Sequence, residues 1–178
     1  MTRDPGTHHR RSIRLPAYDY TQAGAYFVTL VTHACECLFG QIIDSEMRPN
    51  VLCEVVVKEW RRTGEIRREV VPDLFVVMPN HIHGILIIGD RSVVGAHGRA
   101  PLQLHRPARS LGSFVAGFKS AVTRRINEMR GTPGLPVWQR NYHEHVIRNE
   151  EDLDRIRQYI VENPARWDED PENPGQRQ

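Results

Sequence analysis

The run FVVMPNHIHGILIIG, residues 75–89, constrains this chain more than any other stretch. Both flanks are apolar and rich in β-branched residues, and Pro79, Asn80 and His81 interrupt them. That pattern predicts two strands, about 70–78 and 82–88, joined by a tight turn. Residues two apart on a strand point to the same face. His81 and His83 therefore aim together, with Ile82 turned to the other side. Two convergent imidazoles are half of a divalent-metal site, so further ligands and any nucleophile must come from elsewhere in the chain.

The rest of the chain reads as a mixed fold. AYFVTLVTH, about 25–33, is a predicted strand, and LFGQII, about 38–43, is its expected hairpin partner. Asn50 opens a helix to about Thr63, with Val51, Val55, Val56 and Trp60 along one stripe. A second helix is expected over about 110–129, with Leu111, Phe114, Phe118, Val122 and Ile126 on one face. VWQRNYHEHVIR reads as a strand. Asn149 is a predicted N-cap, and the acids at 150–152 suit the start of a third helix. That helix ends before Asn163-Pro164.

The order β-β-α-β-β-α-β-α predicts an α+β sandwich, an antiparallel sheet with helices packed on one face. The expected organisation is a basic N-terminal arm over 1–17, one domain over 18–167 with a mobile loop at 89–108, and a frayed tail over 168–178.

Charge is uneven although the net is only +2. Arg91 to Asn127 contains no acid but carries Arg91, Arg99, Arg106, Arg109, Lys119, Arg124 and Arg125. The arm adds Arg3, Arg10, Arg11 and Arg14. Such a block suits either a phosphate-bearing partner or a solvated loop and helix face. Candidate contacts to such a partner are Arg10, Arg11, Arg14, Lys119, Arg124, Arg125, Trp138 and Arg140, although a single tryptophan is more often core. No apolar run is long enough to span a bilayer, and the first residues lack an apolar signal core, so a cytoplasmic location is expected. Cys35, Cys37 and Cys53 are an odd set, which argues against a disulfide framework.

The candidate nucleophile is Tyr159. It borders the stripe formed by Leu153, Ile156 and Ile160, and Asn163 follows four residues later on the same helix face. The pair presents a phenol and an amide oxygen to one point. A tyrosine at a core margin and a helix C-cap would look the same. A phenol with a pKa of about 10 is a weak nucleophile at neutral pH, and attack on a phosphodiester needs a cation such as Mg²⁺ or Mn²⁺ to offset developing charge. Tyr142, followed by His143 and His145, is a rival nucleophile. His33, Cys35 and Cys37 alternate like a soft-metal site but lack a fourth ligand.

NHIHGILII, WQRNYHEHVIRNEEDL and QYIVENPARW together resemble the single-tyrosine HUH transposases, and more closely the REP-associated tyrosine transposases of bacteria. RRSIRLPAYDYTQAGAYFVTLVT and LGSFVAGFKSAVTRRIN add to the likeness, which spans about residues 10–167. The resemblance implies a ferredoxin-like or RRM-like fold and cleavage of single-stranded or hairpin DNA through a covalent 5′-phosphotyrosine. It implies Tyr159 as nucleophile and His81, His83 and Asn163 as ligands to Mg²⁺ or Mn²⁺. It leaves open whether the protein is a monomer or a homodimer. A histidine-triad hydrolase is the rival enzyme, but its third histidine position holds Ile85. A domesticated, non-catalytic hairpin binder is the alternative outside enzymology.

Overall fold

The computed structural model describes residues 23–89 and 110–176. The expected arm at 1–17, with Arg10, Arg11 and Arg14, lies outside the described residues, as does the loop beyond Gly89. The described chain runs through β1 (Gly24–Val31), β2 (Gly40–Ile43), β3 (Glu46–Pro49) and α1 (Val51–Ile66), then β4 (Val70–Val77) and β5 (His81–Ile88). It continues with α2 (Leu111–Arg130), β6 (His143–Ile147) and α3 (Glu150–Glu162).

The main sheet has the order β4-β5-β1-β6, and its neighbours pair antiparallel. β5 is central, and its register sets Thr29 opposite His83 and Val31 opposite His81. β2 does not pair with β1. It forms a separate hairpin with β3, because Asp44 and Ser45 both adopt positive φ and close a two-residue turn. Such turns match the twist of the strands they join, so a local hairpin wins over pairing with β1.

The helices start where short polar side chains cap them. Asn50 accepts hydrogen bonds from the amides of Leu52 and Cys53, Ser110 from Ser113, and Asn149 from Asp152. Gly131 ends α2 in the left-handed conformation at φ 63°.

The expectation of helices on a single face holds for α1 and α2 but not for α3. Tyr26, Val28, Leu30, Ile82 and Leu86 face α1 and α2 in the main core. Phe27 and Ile85 point the other way and pack with Ile156 and Ile160 of α3. Period-2 alternation gives β1 and β5 apolar side chains on both faces, so a second cover is required. α3 supplies it, on the face that carries His81 and His83.

Gly84 fixes how closely α1 can approach. A Cβ there would lie 2.5 Å from the Trp60 ring, which stacks on Phe75 at 5.3 Å and meets Phe114 and Phe118 edge-on. Overpacking of this kind costs about 1–3 kcal/mol or more. Gly84→Ala is therefore expected to lower the unfolding free energy by that amount, read as a lower urea midpoint, and an unchanged midpoint would mean that Trp60 has room to move.

Candidate functional site

His81 and His83 lie on the α3 face of β5 and are almost fully buried. Their Nε2 atoms are 3.0 Å apart. Each Nδ1 is engaged from behind: His81 Nδ1 is 2.9 Å from Asn80 Oδ1, and His83 Nδ1 is 2.9 Å from Thr29 Oγ1. Phe27 stacks on His83, and Trp167 stacks on His81. The strand period thus does what the sequence suggests and brings both imidazoles to one point.

α3 brings Tyr159 to the same point. Its hydroxyl is 3.3 Å from His83 Nε2, and its ring meets Phe27 edge-on. Burial raises its pKa above the usual phenol value, and Asp170 adds to the rise, while the Asn163 amide opposes it. The phenol is held neutral until something takes its proton. A groove of about 690 Å³ opens beside it, lined by Phe27, His145, Arg155, Gln158, Tyr159 and Arg166 among others.

Asn163 begins a 3-10 segment, Asn163–Glu169, and is 1% exposed. Its Nδ2 donates to Asp170 Oδ2 at 3.2 Å, whereas its Oδ1 is buried without a hydrogen-bond partner. A buried acceptor left unsatisfied costs about 1–3 kcal/mol.

The residue that sequence reasoning missed is Asp170. The segment after residue 167, expected to fray, forms turns through Gln176, and its Glu172 carbonyl accepts from Asn80 beside the site. Asp170 is 4% exposed, and its Oδ1 accepts from the Glu172 amide at 2.7 Å. Its Oδ2 is 3.7 Å from His81 Nε2. Among the described residues, His81, His83 and Asp170 form the group that could hold a metal ion, with ligand atoms within 4.8 Å of one another. Two neutral nitrogens, a carboxylate and an orphaned amide oxygen make a mixed nitrogen and oxygen donor set for a divalent cation.

Burial pushes His81 down to about 4, against the pull of Asp170 and the Asn163 amide. Burial and then the neighbouring His81 push His83 well below the usual histidine range. An unfolded imidazole takes its proton near 6.5, whereas the buried His81 waits until about 4. Between those values the unfolded chain holds more protons, so stability falls as pH falls. Urea midpoints in metal-free buffer should therefore drop between pH 7 and pH 4.5. A His81→Gln variant should drop less, and equal slopes would remove the imidazole as the cause.

The other candidates separate cleanly. Trp138 is a core residue: it is 6% exposed and packs on Phe39 and Phe118, so it offers no open face to a base. Lys119 donates to the carbonyls of Gln139 and Asn141, and burial lowers its pKa to about 8. It pins the 139–141 segment onto α2. Arg125 pairs with the buried Glu59 of α1 and so ties the two helices together. Arg124 is exposed, 4.0 Å from Glu128, and Arg140 is exposed too. Both line a groove of about 800 Å³ between α2 and the 131–140 segment. Tyr142 packs against the main core, with Lys119 over its ring at 5.6 Å, away from the histidines. Cys35 is buried and accepts from Gln139, and His33, Cys35 and Cys37 do not converge.

The antiparallel sheet with its three helices has the fold of a REP-associated tyrosine transposase. The chain superposes on a solved REP-associated tyrosine transposase bound to a REP hairpin with a TM-score of 0.52, at 17% identity, over 86% of this chain and 73% of that one. A second solved chain, from Deinococcus radiodurans, gives a TM-score of 0.40 at 19% identity over 83% of this chain and 95% of its own, too distant to carry an argument. No protein-family model matches the sequence. At the level of sequence, the chain belongs to the same family as an uncharacterized protein of Haemophilus influenzae, to which it is 41% identical over 175 residues, 93% of each chain. Among the described residues no helix is long and apolar enough to cross a membrane.

Proposed function

We propose that this protein is a divalent-metal-dependent transposase-type enzyme that nicks and rejoins single-stranded DNA next to a hairpin, working in the cytoplasm on chromosomal DNA. The observation that carries the reading is the Tyr159 hydroxyl, 3.3 Å from His83 Nε2 and beside an open groove. Tyr159 touches His83 on one side and lines the groove on the other.

In this reading the strand lies in the groove with its scissile phosphate at Tyr159. The phenol gives up its proton to water in the groove. Oη forms a bond to phosphorus, the P–O3′ bond breaks, and the 3′ oxygen leaves as a hydroxyl after taking a proton. The 5′ end stays on the enzyme as a phosphotyrosine ester, so the bond energy is kept and rejoining needs no nucleotide cofactor. A bound Mg²⁺ or Mn²⁺ would offset the charge that develops on the phosphate oxygens. His81, His83 and Asp170 would hold it, with Asn163 Oδ1 as a further oxygen.

The test is incubation with labelled hairpin DNA carrying a single-stranded flank, with and without Mn²⁺. A denaturation-resistant adduct that needs Mn²⁺ is expected. Hairpin binding without an adduct would make the protein a non-catalytic binder.

Arg124 and Arg140 are the exposed cations proposed to meet the DNA backbone. Each phosphate neutralised on a single strand contributes about 0.7 to the log–log salt slope of binding. Arg124→Gln/Arg140→Gln should flatten the slope by about 1.4. An unchanged slope would return both to a solvated face.

A further inference from the structure

Asn80 sits in the turn before β5 and is fully buried. Its side chain touches three separate parts of the chain. Nδ2 donates to the carbonyl of Cys35 at 3.3 Å and to the carbonyl of Glu172 at 2.7 Å. Oδ1 lies 2.9 Å from His81 Nδ1. Its backbone carbonyl accepts from the Thr32 amide at 2.8 Å, which fixes the main chain beneath it.

These contacts leave one consistent arrangement of protons. Backbone carbonyls only accept, so the amide nitrogen must face Cys35 and Glu172. The amide oxygen must then face His81, and an oxygen without a proton only accepts. His81 Nδ1 must therefore carry the hydrogen. A neutral imidazole has one N–H, so Nε2 is left as a bare lone pair. That lone pair points to where His83 Nε2 and Asp170 Oδ2 converge, at 3.0 and 3.7 Å. With His81 Nε2 bare, the 3.0 Å contact puts the hydrogen on His83 Nε2 in the metal-free protein, and the Thr29 hydroxyl, which can donate or accept, lets His83 switch tautomer when a cation takes its place.

We infer that Asn80 is a positioning residue that locks His81 in the Nδ1–H tautomer, and that docking of the 170–173 segment through the Glu172 carbonyl sets the orientation of the Asn80 amide. This rests on the proposed cation site for its purpose, but the tautomer itself does not. The segment after α3 thereby contributes twice to the site, once through the Asp170 carboxylate and once through a carbonyl acting at a distance on His81. Outer partners of this kind commonly change metal affinity 10- to 100-fold when removed.

The full-length, metal-free protein with ¹⁵N-labelled histidine gives the direct readout. Long-range ¹H–¹⁵N spectra should show His81 with Nδ1 protonated and Nε2 bare. Asn80→Ala removes the acceptor, so His81 should shift toward the Nε2–H tautomer, and Mn²⁺ affinity measured by calorimetry should fall about 10- to 100-fold. Asn80→Asp keeps an acceptor for His81 and loses both donors. It should preserve the tautomer while loosening the 170–173 segment, which a purely structural role would not separate. A wild-type His81 protonated on Nε2 overturns the inference even if no variant folds. So does an Asn80→Ala protein with unchanged tautomer and affinity. If the wild type binds no Mn²⁺, the cation reading fails, and the metal-free spectrum still decides the tautomer.

Discussion

Tyr159→Phe is expected to abolish the covalent DNA adduct and strand cleavage while leaving hairpin affinity nearly unchanged. The phenylalanine ring keeps the packing against Phe27 and the α3 stripe and removes the one atom placed to attack phosphorus. The lost hydroxyl contact with His83 is worth about 1 kcal/mol of stability, too little to unfold the domain. Tyr142→Phe is the matched control. It sits against the main core under Lys119, away from the imidazoles, and should retain cleavage. A dead Tyr142→Phe beside an adduct-forming Tyr159→Phe would move the nucleophile to the other tyrosine. Binding lost together with cleavage in Tyr159→Phe would make the phenol a recognition group instead.

The parts of this site that obey a period were legible in the sequence. His81 and His83 share a face because strands repeat every two residues, and β5 is a regular strand with Ile82 and Ile85 on opposite sides. Tyr159 and Asn163 meet the same point because helix faces repeat at four residues, and α3 runs unbroken to Glu162. Asp170 obeys no period. It is held by a 3-10 turn, a hydrogen bond that its carboxylate accepts from the Glu172 amide and another that Asn173 Nδ2 donates to the Trp167 carbonyl, contacts that leave no hydrophobic pattern. The one local signal was the Asx residues ahead of Pro171 and Pro174, which favour turns that bond to their own backbone.

The β2 error has a similar root. LFGQII looked like a partner for β1 by proximity, and the Asp44-Ser45 turn that gives it β3 instead lies in a stretch with few apolar residues. Residue type does not show how exposed the proposed DNA contacts are. Trp138 and Lys119 have the chemistry of nucleic-acid binders, but one is packed among aromatics and the other is satisfied by two carbonyls. Burial, which a sequence does not print, decided both.

Replacing both histidines is expected to remove Mn²⁺ binding, lowering affinity by more than about 100-fold, beyond the usual cost of losing an outer partner. The two imidazoles supply the nitrogen donors of the cluster, and only Asp170 and the Asn163 amide would remain. Asp170→Asn separates the contributions. It keeps the shape and an oxygen but deletes the negative charge that stands 3.7 Å from His81 Nε2, so affinity should fall by about 10-fold or more. Asn163→Ala removes a neutral oxygen and should cost less than Asp170→Asn. The double His81→Ala/His83→Ala protein leaves buried space, so His81→Gln/His83→Gln, which refills part of it, guards against reading a loss of folding as a loss of ligands. Calorimetry with Mn²⁺ on all four variants, each checked for a cooperative urea transition, gives the ranking. Parental affinity in the double histidine variants would sink the metal reading. An unchanged affinity in Asp170→Asn with a large loss in Asn163→Ala would return the third ligand to the amide that the sequence first suggested.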